Sequence, residues 1–300
     1  MGRRMRWGDL LEKIYGGMLS PSQQACIICK RSIRMNDTAL RPLYPYEQSL
    51  MSLVCYKCVN LIPWIRELGC AYCGRAIRCP DCQRHPLRND GLRANRSVVR
   101  YDEQMKQWLS QYKFKGDRVY ELVMVRMMQL AYEPLLSTVW ERRPSIRDGG
   151  ITALFQGKLD AILPDLITYV PSTRERIQVR GFNQAEQFAW ALGREWGRPV
   201  VELLARTQDA EKQSKQSRIG RERSISNAFK QHQWAGRSLQ EAWGACKGRE
   251  GSNAAELRVL LIDDVYTTGS TIRAYSRKLS SLCRDLDCPV SIVSYTWARA

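Results

Sequence analysis

The run Val259-Leu260-Leu261-Ile262-Asp263-Asp264-Val265-Tyr266-Thr267-Thr268-Gly269-Ser270-Thr271 joins four apolar residues to two adjacent carboxylates, then to a hydroxyl-rich turn around one glycine. The apolar run reads as a buried strand and the turn as the start of a helix. In open α/β sheets ligands bind in the crevice beyond the carboxyl ends of the strands. Backbone N–H groups of a glycine-containing turn face a concavity, and the helix dipole adds positive potential. A phosphate is held there without a charged side chain. Two carboxylates beside such a cradle repel the phosphate itself, but they accept hydrogen bonds from sugar hydroxyls or hold a cation. A ribose 5-phosphate supplies both halves. A strand followed by a Thr-capped helix, with both aspartates as turn residues, is the plainer reading; it leaves the carboxylate pair beside the glycine turn unexplained.

Outward from this segment the chain alternates strand and helix. Strands are expected over 97–101, 166–170, 258–262 and 290–295. Helices are expected over 103–114, 119–140, 184–196 and 270–282, the second kinked or ended by Pro134. Such alternation predicts an α/β fold with a doubly wound parallel sheet. The stretches 141–158 and 234–256 read as irregular insertions because of Pro144, Gly149-Gly150 and the later glycines. The polar, basic stretch 207–226 reads as a mobile loop.

Before Asn89-Asp90-Gly91, a turn signal, the composition differs. Eight of the eleven cysteines fall here, in four Cys-x-x-Cys pairs: Cys26 and Cys29, Cys55 and Cys58, Cys70 and Cys73, Cys79 and Cys82. Each turn places two thiolates on one tetrahedral ion, and two turns complete a closed, structural site of four cysteines. Four turns hold two zinc ions, with sequential pairing expected and alternate pairing left open. Gly74 suits the tight turn after Cys73. Residues 1–90 therefore form a small double zinc-ribbon module with an N-terminal helical extension, and residues 91–300 the α/β domain. Cys246, Cys283 and Cys288 read as core thiols, and His85 and His232 receive no catalytic role.

With 47 Lys+Arg against 30 Asp+Glu, the formal charge is +17. This favours polyanionic partners, nucleic acid and polyphosphate among them. Trp64, Tyr72 and Tyr112, among basic residues, are candidates for stacking on unpaired bases. No apolar run approaches the ~18–20 residues of a spanning helix, and no signal peptide is legible. No membrane insertion and a cytoplasmic location are the expectations.

The segment around Asp263 resembles the signature of type I phosphoribosyltransferases, and nearly the whole chain resembles the ComF family of competence-associated proteins. Tyr169-Val170-Pro171, Arg176 and the run Arg180-Gly181-Phe182-Asn183-Gln184-Ala185 are similar to a second motif of that family. Gln213 through Arg221 to Ala228-Phe229 are similar to a third. The resemblance implies that Asp263 and Asp264 bind the ribose hydroxyls of phosphoribosyl pyrophosphate, and that Thr267, Thr268, Gly269, Ser270 and Thr271 bind its 5-phosphate. The turn at Pro171 would face the pyrophosphate, carried with Mg2+. Arg176, Arg180, Lys212, Lys215, Arg218 and Arg221 are candidates for the leaving-group side, and the loop around Gln213–Arg221 would close over it. The chain has Thr173 where members often carry a histidine, and Ser224 where they often carry an asparagine, so binding is better supported than turnover. The implied role is handling of single-stranded DNA in natural transformation, beside a competence helicase. The alternative is an active transferase moving ribose 5-phosphate to a nucleobase or amine.

Overall fold

A computed structural model describes residues 25–33, 45–115, 118–140, 159, 161–207, 228–248 and 255–300. The chain forms two compact units, Met1–Ile62 and Pro63–Ala300. The smaller contains short helices α1 (Pro45–Gln48) and α2 (Tyr56–Asn60). Leu50, Val54 and Val59 are buried in it, as are Cys26, Cys55 and Cys58 from two Cys-x-x-Cys turns.

The larger unit begins with α3 (Pro80–Arg84) and a 3-10 turn over Leu87–Asp90. Strand β1 (Leu92–Arg100), helices α4 (Glu103–Lys115) and α5 (Arg118–Leu136), and strand β2 (Leu166–Tyr169) follow. Next come α6 (Arg174–Arg180), α7 (Gln184–Trp196), the short antiparallel pair β3 (Leu204–Arg206) and β4 (Phe229–Gln231), and α8 (Ala235–Lys247). The described chain ends with β5 (Leu257–Tyr266), α9 (Ser270–Asp285) and β6 (Val290–Arg299).

Four parallel strands make the main sheet in the order β1-β6-β5-β2. Val200 extends it by bridging in parallel to Ile167 of β2. Helices α5 and α7 pack on one face, while α8 and α9 pack on the other. Strands β5 and β6 are buried along most of their length, as a sheet covered on both faces requires. The outer edge of β1 is closed by residues 63–65, where Ile65 N donates to Val98 O at 2.9 Å and Arg100 N to Pro63 O at 2.9 Å. No helix among the described residues is long and apolar enough to cross a membrane.

The doubly wound parallel sheet expected from the sequence is present. Some bounds differ, β6 running on to Arg299 and the helix expected to reach 140 ending at Leu136, and two further readings are corrected. The stretch 234–256, read as irregular, contains helix α8, whose buried Ala235, Leu239 and Cys246 recur at helical spacing. Gly236 and Gly244 misled the reading; side chains there would meet nothing closer than Leu286 at 3.8 Å. Strand β5 runs on to Tyr266 instead of stopping at Ile262, so Asp263 and Asp264 lie on the strand itself. The insertion over 141–158, the loop residues Gln213 and Arg221, and Lys212, Lys215, Arg218 and Ser224 lie outside the described residues, as does the N-terminal extension.

Candidate functional site

The sheet reverses its winding between β2 and β5. From β2 the chain crosses through α7 to Val200 on one side; from β5 it crosses through α9 to β6 on the other. Such a switch point opens a crevice at the carboxyl ends of the two strands. Strand β2 ends at Tyr169, opposite Ile262. Asp263 and Asp264 are therefore the first residues of β5 that β2 does not cover, although β6 still pairs with Asp263 through Thr296.

Their carboxylates are ordered locally: Asp263 Oδ1 accepts from Asp264 N at 2.9 Å, and Asp264 Oδ1 from Val265 N at 2.6 Å. Lys113, near the end of α4, forms an ion pair with Asp264. Burial, reinforced by the Asp264 charge, pushes the Asp263 carboxyl up to about 8, against the pull of Lys113 and Arg206. The Asp263 carboxyl therefore keeps its proton to a higher pH than an ordinary aspartate does.

The turn behind them is built around Gly269, the N-cap of α9, at φ 78°. A Cβ there would lie 2.2 Å from the Tyr266 hydroxyl, so glycine is required for both the left-handed conformation and the close approach. Thr268 Oγ1 donates to Ser270 Oγ at 3.2 Å and accepts from Ser270 N at 3.4 Å. Thr267 and Thr268 are exposed, and Ser270 and Thr271 half-buried. Helix α9 is anchored below by Arg273 and Arg277, which reach the two oxygens of Asp90 at 2.7 and 2.5 Å.

The opposite lip of the crevice is the turn after β2. Asn183 caps α7 through Ala185 N at 3.2 Å, donates to Val170 O at 3.0 Å and accepts from Ser172 Oγ at 3.2 Å. Thr173 caps α6, accepting from Arg176 N at 3.3 Å. Pro171 is buried, and its carbonyl accepts from Arg206 Nε at 2.8 Å. Arg180 lies over the Phe114 ring at 5.2 Å and donates to Gln184 at 3.2 Å, whereas Arg176 is exposed. The sequence reading missed Lys113 and Arg206. Both cations come from elements remote in sequence from the aspartates, and no local pattern marks them.

The two cysteine sets repeat one local design. In the first, Cys26 N donates to Arg31 O at 2.7 Å and Lys30 N to Cys26 O at 2.8 Å; in the second, Cys70 N donates to Arg75 O at 2.9 Å and Gly74 N to Cys70 O at 3.0 Å. Lys30 and Gly74 occupy equivalent left-handed positions, at φ 63° and 70°. The second turn of each set opens a short helix, Cys55 capping α2 and Cys79 capping α3. The sulfurs of Cys26, Cys29, Cys55 and Cys58 all lie within 4.8 Å of one another, as do those of Cys70, Cys73 and Cys82. Cys79, buried at the start of α3, falls outside that mutual distance but belongs to the same buried cluster.

The turns are thus grouped sequentially. Cys29 and Cys55 sulfurs are 3.6 Å apart, close to the ~3.8 Å edge of a tetrahedron with ~2.3 Å zinc–sulfur bonds. In the first set a hydrogen bond with Cys58 pulls the Cys26 thiol down to about 4, and the same bond pushes Cys58 up. Clustered thiols cannot all ionise without a cation; a divalent thiophilic ion resolves this, and both sets could hold zinc.

Of the stacking candidates, Trp64 and Tyr112 are buried, the Tyr112 hydroxyl bonding Glu121 at 3.0 Å, so neither is available to a base. Tyr72 is exposed. His232 stacks on Trp234 at 4.3 Å.

Over 267 residues the chain is 30% identical to Competence protein ComFC of Bacillus subtilis (strain 168), spanning 85% of this chain and 88% of that protein. The chain belongs to the ComFC family. Competence protein ComFC of Streptococcus pneumoniae (strain ATCC BAA-255 / R6) is 24% identical over 233 residues, 76% of this chain and 81% of that one. No protein-family model matches the chain. The alignment lengths require that the ComFC likeness extend across most of the chain, and so reach well beyond the segment around Asp263.

Proposed function

We propose that this ComFC-family protein binds phosphoribosyl pyrophosphate or ribose 5-phosphate in the crevice between β2 and β5, and acts in natural transformation by handling single-stranded DNA on the cytoplasmic side, beside a helicase. The observation that carries the reading is the pairing, at a switch point, of two consecutive carboxylates with a glycine-capped helix start. Thr267–Thr271 would receive the 5-phosphate through backbone N–H and hydroxyl donors. Asp263 and Asp264 would accept from the 2- and 3-hydroxyls, with Lys113 holding Asp264 in place. Pro171, Arg176 and Arg180 would face the pyrophosphate, joined by Gln213 and Arg221. The carboxylates also fit a hard cation, and Mg2+ bound with the pyrophosphate would neutralise the departing charge.

Titration calorimetry of phosphoribosyl pyrophosphate with Mg2+ tests the site. Binding by the wild type and its loss in Asp263→Asn/Asp264→Asn are expected; a folded, zinc-loaded wild type that binds nothing refutes it. The DNA part predicts single-strand affinity falling steeply with salt, because phosphate contacts release counterions. Salt-insensitive or absent binding defeats that part alone. The raised carboxyl of Asp263 favours a second reading, a transferase, since perturbed groups cluster where chemistry is done. Isotope exchange between pyrophosphate and phosphoribosyl pyrophosphate, with candidate bases or amines present, separates turnover from binding.

A further inference from the structure

Three arginines of the larger unit are more than nine-tenths buried, Arg96 at 4%, Arg258 at 5% and Arg299 at 8% exposure, and no Asp or Glu among the described residues pairs with Arg96 or Arg299. Arg96 is spent on carbonyls: Leu135 O at 3.2 Å, Ala71 O at 2.8 Å and Asn95 O at 2.9 Å. Arg299 sits between two functional regions. Its Nη2 donates to Cys73 Sγ at 3.9 Å. Its Nη1 donates to Tyr266 O at 3.1 Å, to Thr267 O at 2.7 Å and to Ala300 O. The guanidinium carbon lies 4.6 Å from the centre of the Tyr266 ring.

A buried guanidinium without an anion is costly. Four thiolates around one divalent ion carry about two net negative charges, and Arg96 and Arg299 border the set that contains Cys70 and Cys73. A metal-loaded cluster there would add balancing negative charge beside both. The other end of Arg299 acts on the phosphate turn. In a trans peptide the C=O and the following N–H point in opposite directions. Drawing the carbonyls of Tyr266 and Thr267 toward Arg299 therefore turns the N–H groups of Thr267 and Thr268 away from it.

We propose that Arg299 is a positioning residue that couples the Cys70/Cys73/Cys79/Cys82 metal site to the phosphate turn. Thiolates loaded with a divalent thiophilic ion hold the guanidinium, and the guanidinium sets the orientation of the peptide groups that receive an anion. Coupling of this kind is reciprocal: the metal site tightens anion binding, and the bound anion alters the metal site. The proposal rests on the ribose-phosphate reading of the turn.

The test uses the full chain loaded with Co2+, which reports thiolate coordination through its charge-transfer absorption, in wild type, Arg299→Lys and Arg299→Gln. Removing the N–H donor from Cys73 should shift the share of the band that comes from the second set. The share from the Cys26 set stays unchanged as an internal control. Ribose 5-phosphate should shift the same share in the wild type but not in Arg299→Gln. Its affinity by calorimetry should fall about 10-fold in Arg299→Gln, with partial recovery in Arg299→Lys, which keeps the charge but not the fork. If the wild type binds ribose 5-phosphate and both variants bind it equally with the same spectral response, the coupling is overturned while the ligand site stands. If the wild type binds no ribose 5-phosphate, the site reading and the coupling both fall. Should Arg299→Gln not fold, the charge-retaining Arg299→Lys decides by the same band and affinity.

Discussion

Asp263 carries opposing demands, because the burial that makes it useful also makes its ionisation unfavourable. Its carboxyl is raised from an ordinary 3.8 to about 8. Between those values the folded chain holds a proton that the unfolded chain has released. The associated stability is fully present below about pH 4 and is lost as pH rises through about 8. Asp263→Asn cannot ionise, so it should melt above the wild type at about pH 9 and close to it at about pH 4, with each ~1 kcal/mol of relief giving about 2–4 °C. Equal melting differences at both pH values would show that Asp263 ionises freely. Ligand affinity should run the other way in the wild type: hydroxyls bind the ionised form better, so affinity rises from about pH 6 to about pH 9, with proton release measurable in buffers of different ionisation enthalpy. Gly269 supplies a second test. Alanine there meets the Tyr266 hydroxyl at 2.2 Å and must hold φ near 78°. Gly269→Ala should cost about 1–3 kcal/mol of stability and weaken ribose 5-phosphate binding about 10-fold. Adding Tyr266→Phe removes the nearest atom but not the strained φ, so recovery should be partial. Asp263, Asp264 and Gly269 were legible because they are consecutive with a buried strand. Lys113 and Arg206 were not, because only folding brings α4 and β3 to the same edge.

Elements were readable where periodicity was uninterrupted. Helix α7 spans Gln184–Trp196, as its apolar spacing predicts, with Asn183 and Gly197 as its caps. Strands β5 and β6 were recognised but shortened, since polar Asp263, Asp264 and Thr296 sit inside a parallel ladder that local composition cannot reveal. Helix α8 was missed because glycine is the poorest non-proline helix former. Its stability comes from burying Leu239 and Cys246 against the α9 side of the sheet, a tertiary gain that overrides propensity. This yields a direct check at the scale of the element. A Cβ at Gly244 meets nothing within 4 Å, so Gly244→Ala should stabilise the protein by about 0.5–1 kcal/mol, read as an upward shift in melting temperature. A neutral or destabilising result would mean that this stretch is not helical in solution.

For the whole molecule, cysteine content and packing divide the chain differently. The composition changes near residue 90, yet the compact units divide between Ile62 and Pro63. Cys70, Cys73, Cys79 and Cys82 share one apolar cluster with Leu92, Tyr266, Ile272 and Leu279, residues of the sheet and of α9. The Cys-x-x-Cys turns look alike in the two cysteine sets, because the tertiary contacts that distinguish the sets leave no trace in that motif. The distinction predicts unequal consequences of losing each metal. Cys82→Ser, in the full chain, removes a ligand from a site embedded in the core that supports the phosphate turn. It should release one zinc, lower the melting temperature of the larger unit, and weaken ribose 5-phosphate binding. Cys58→Ser should also release one zinc, but from a unit with its own small core, and should leave ribose 5-phosphate affinity within about 2-fold of the wild type. Zinc stoichiometry, calorimetric melting and ligand titration on the two variants measure all three quantities. If Cys58→Ser weakened the ligand as much as Cys82→Ser, the first metal site would also govern the crevice, and the contribution assigned to the Cys73–Arg299 contact would have to be shared with it.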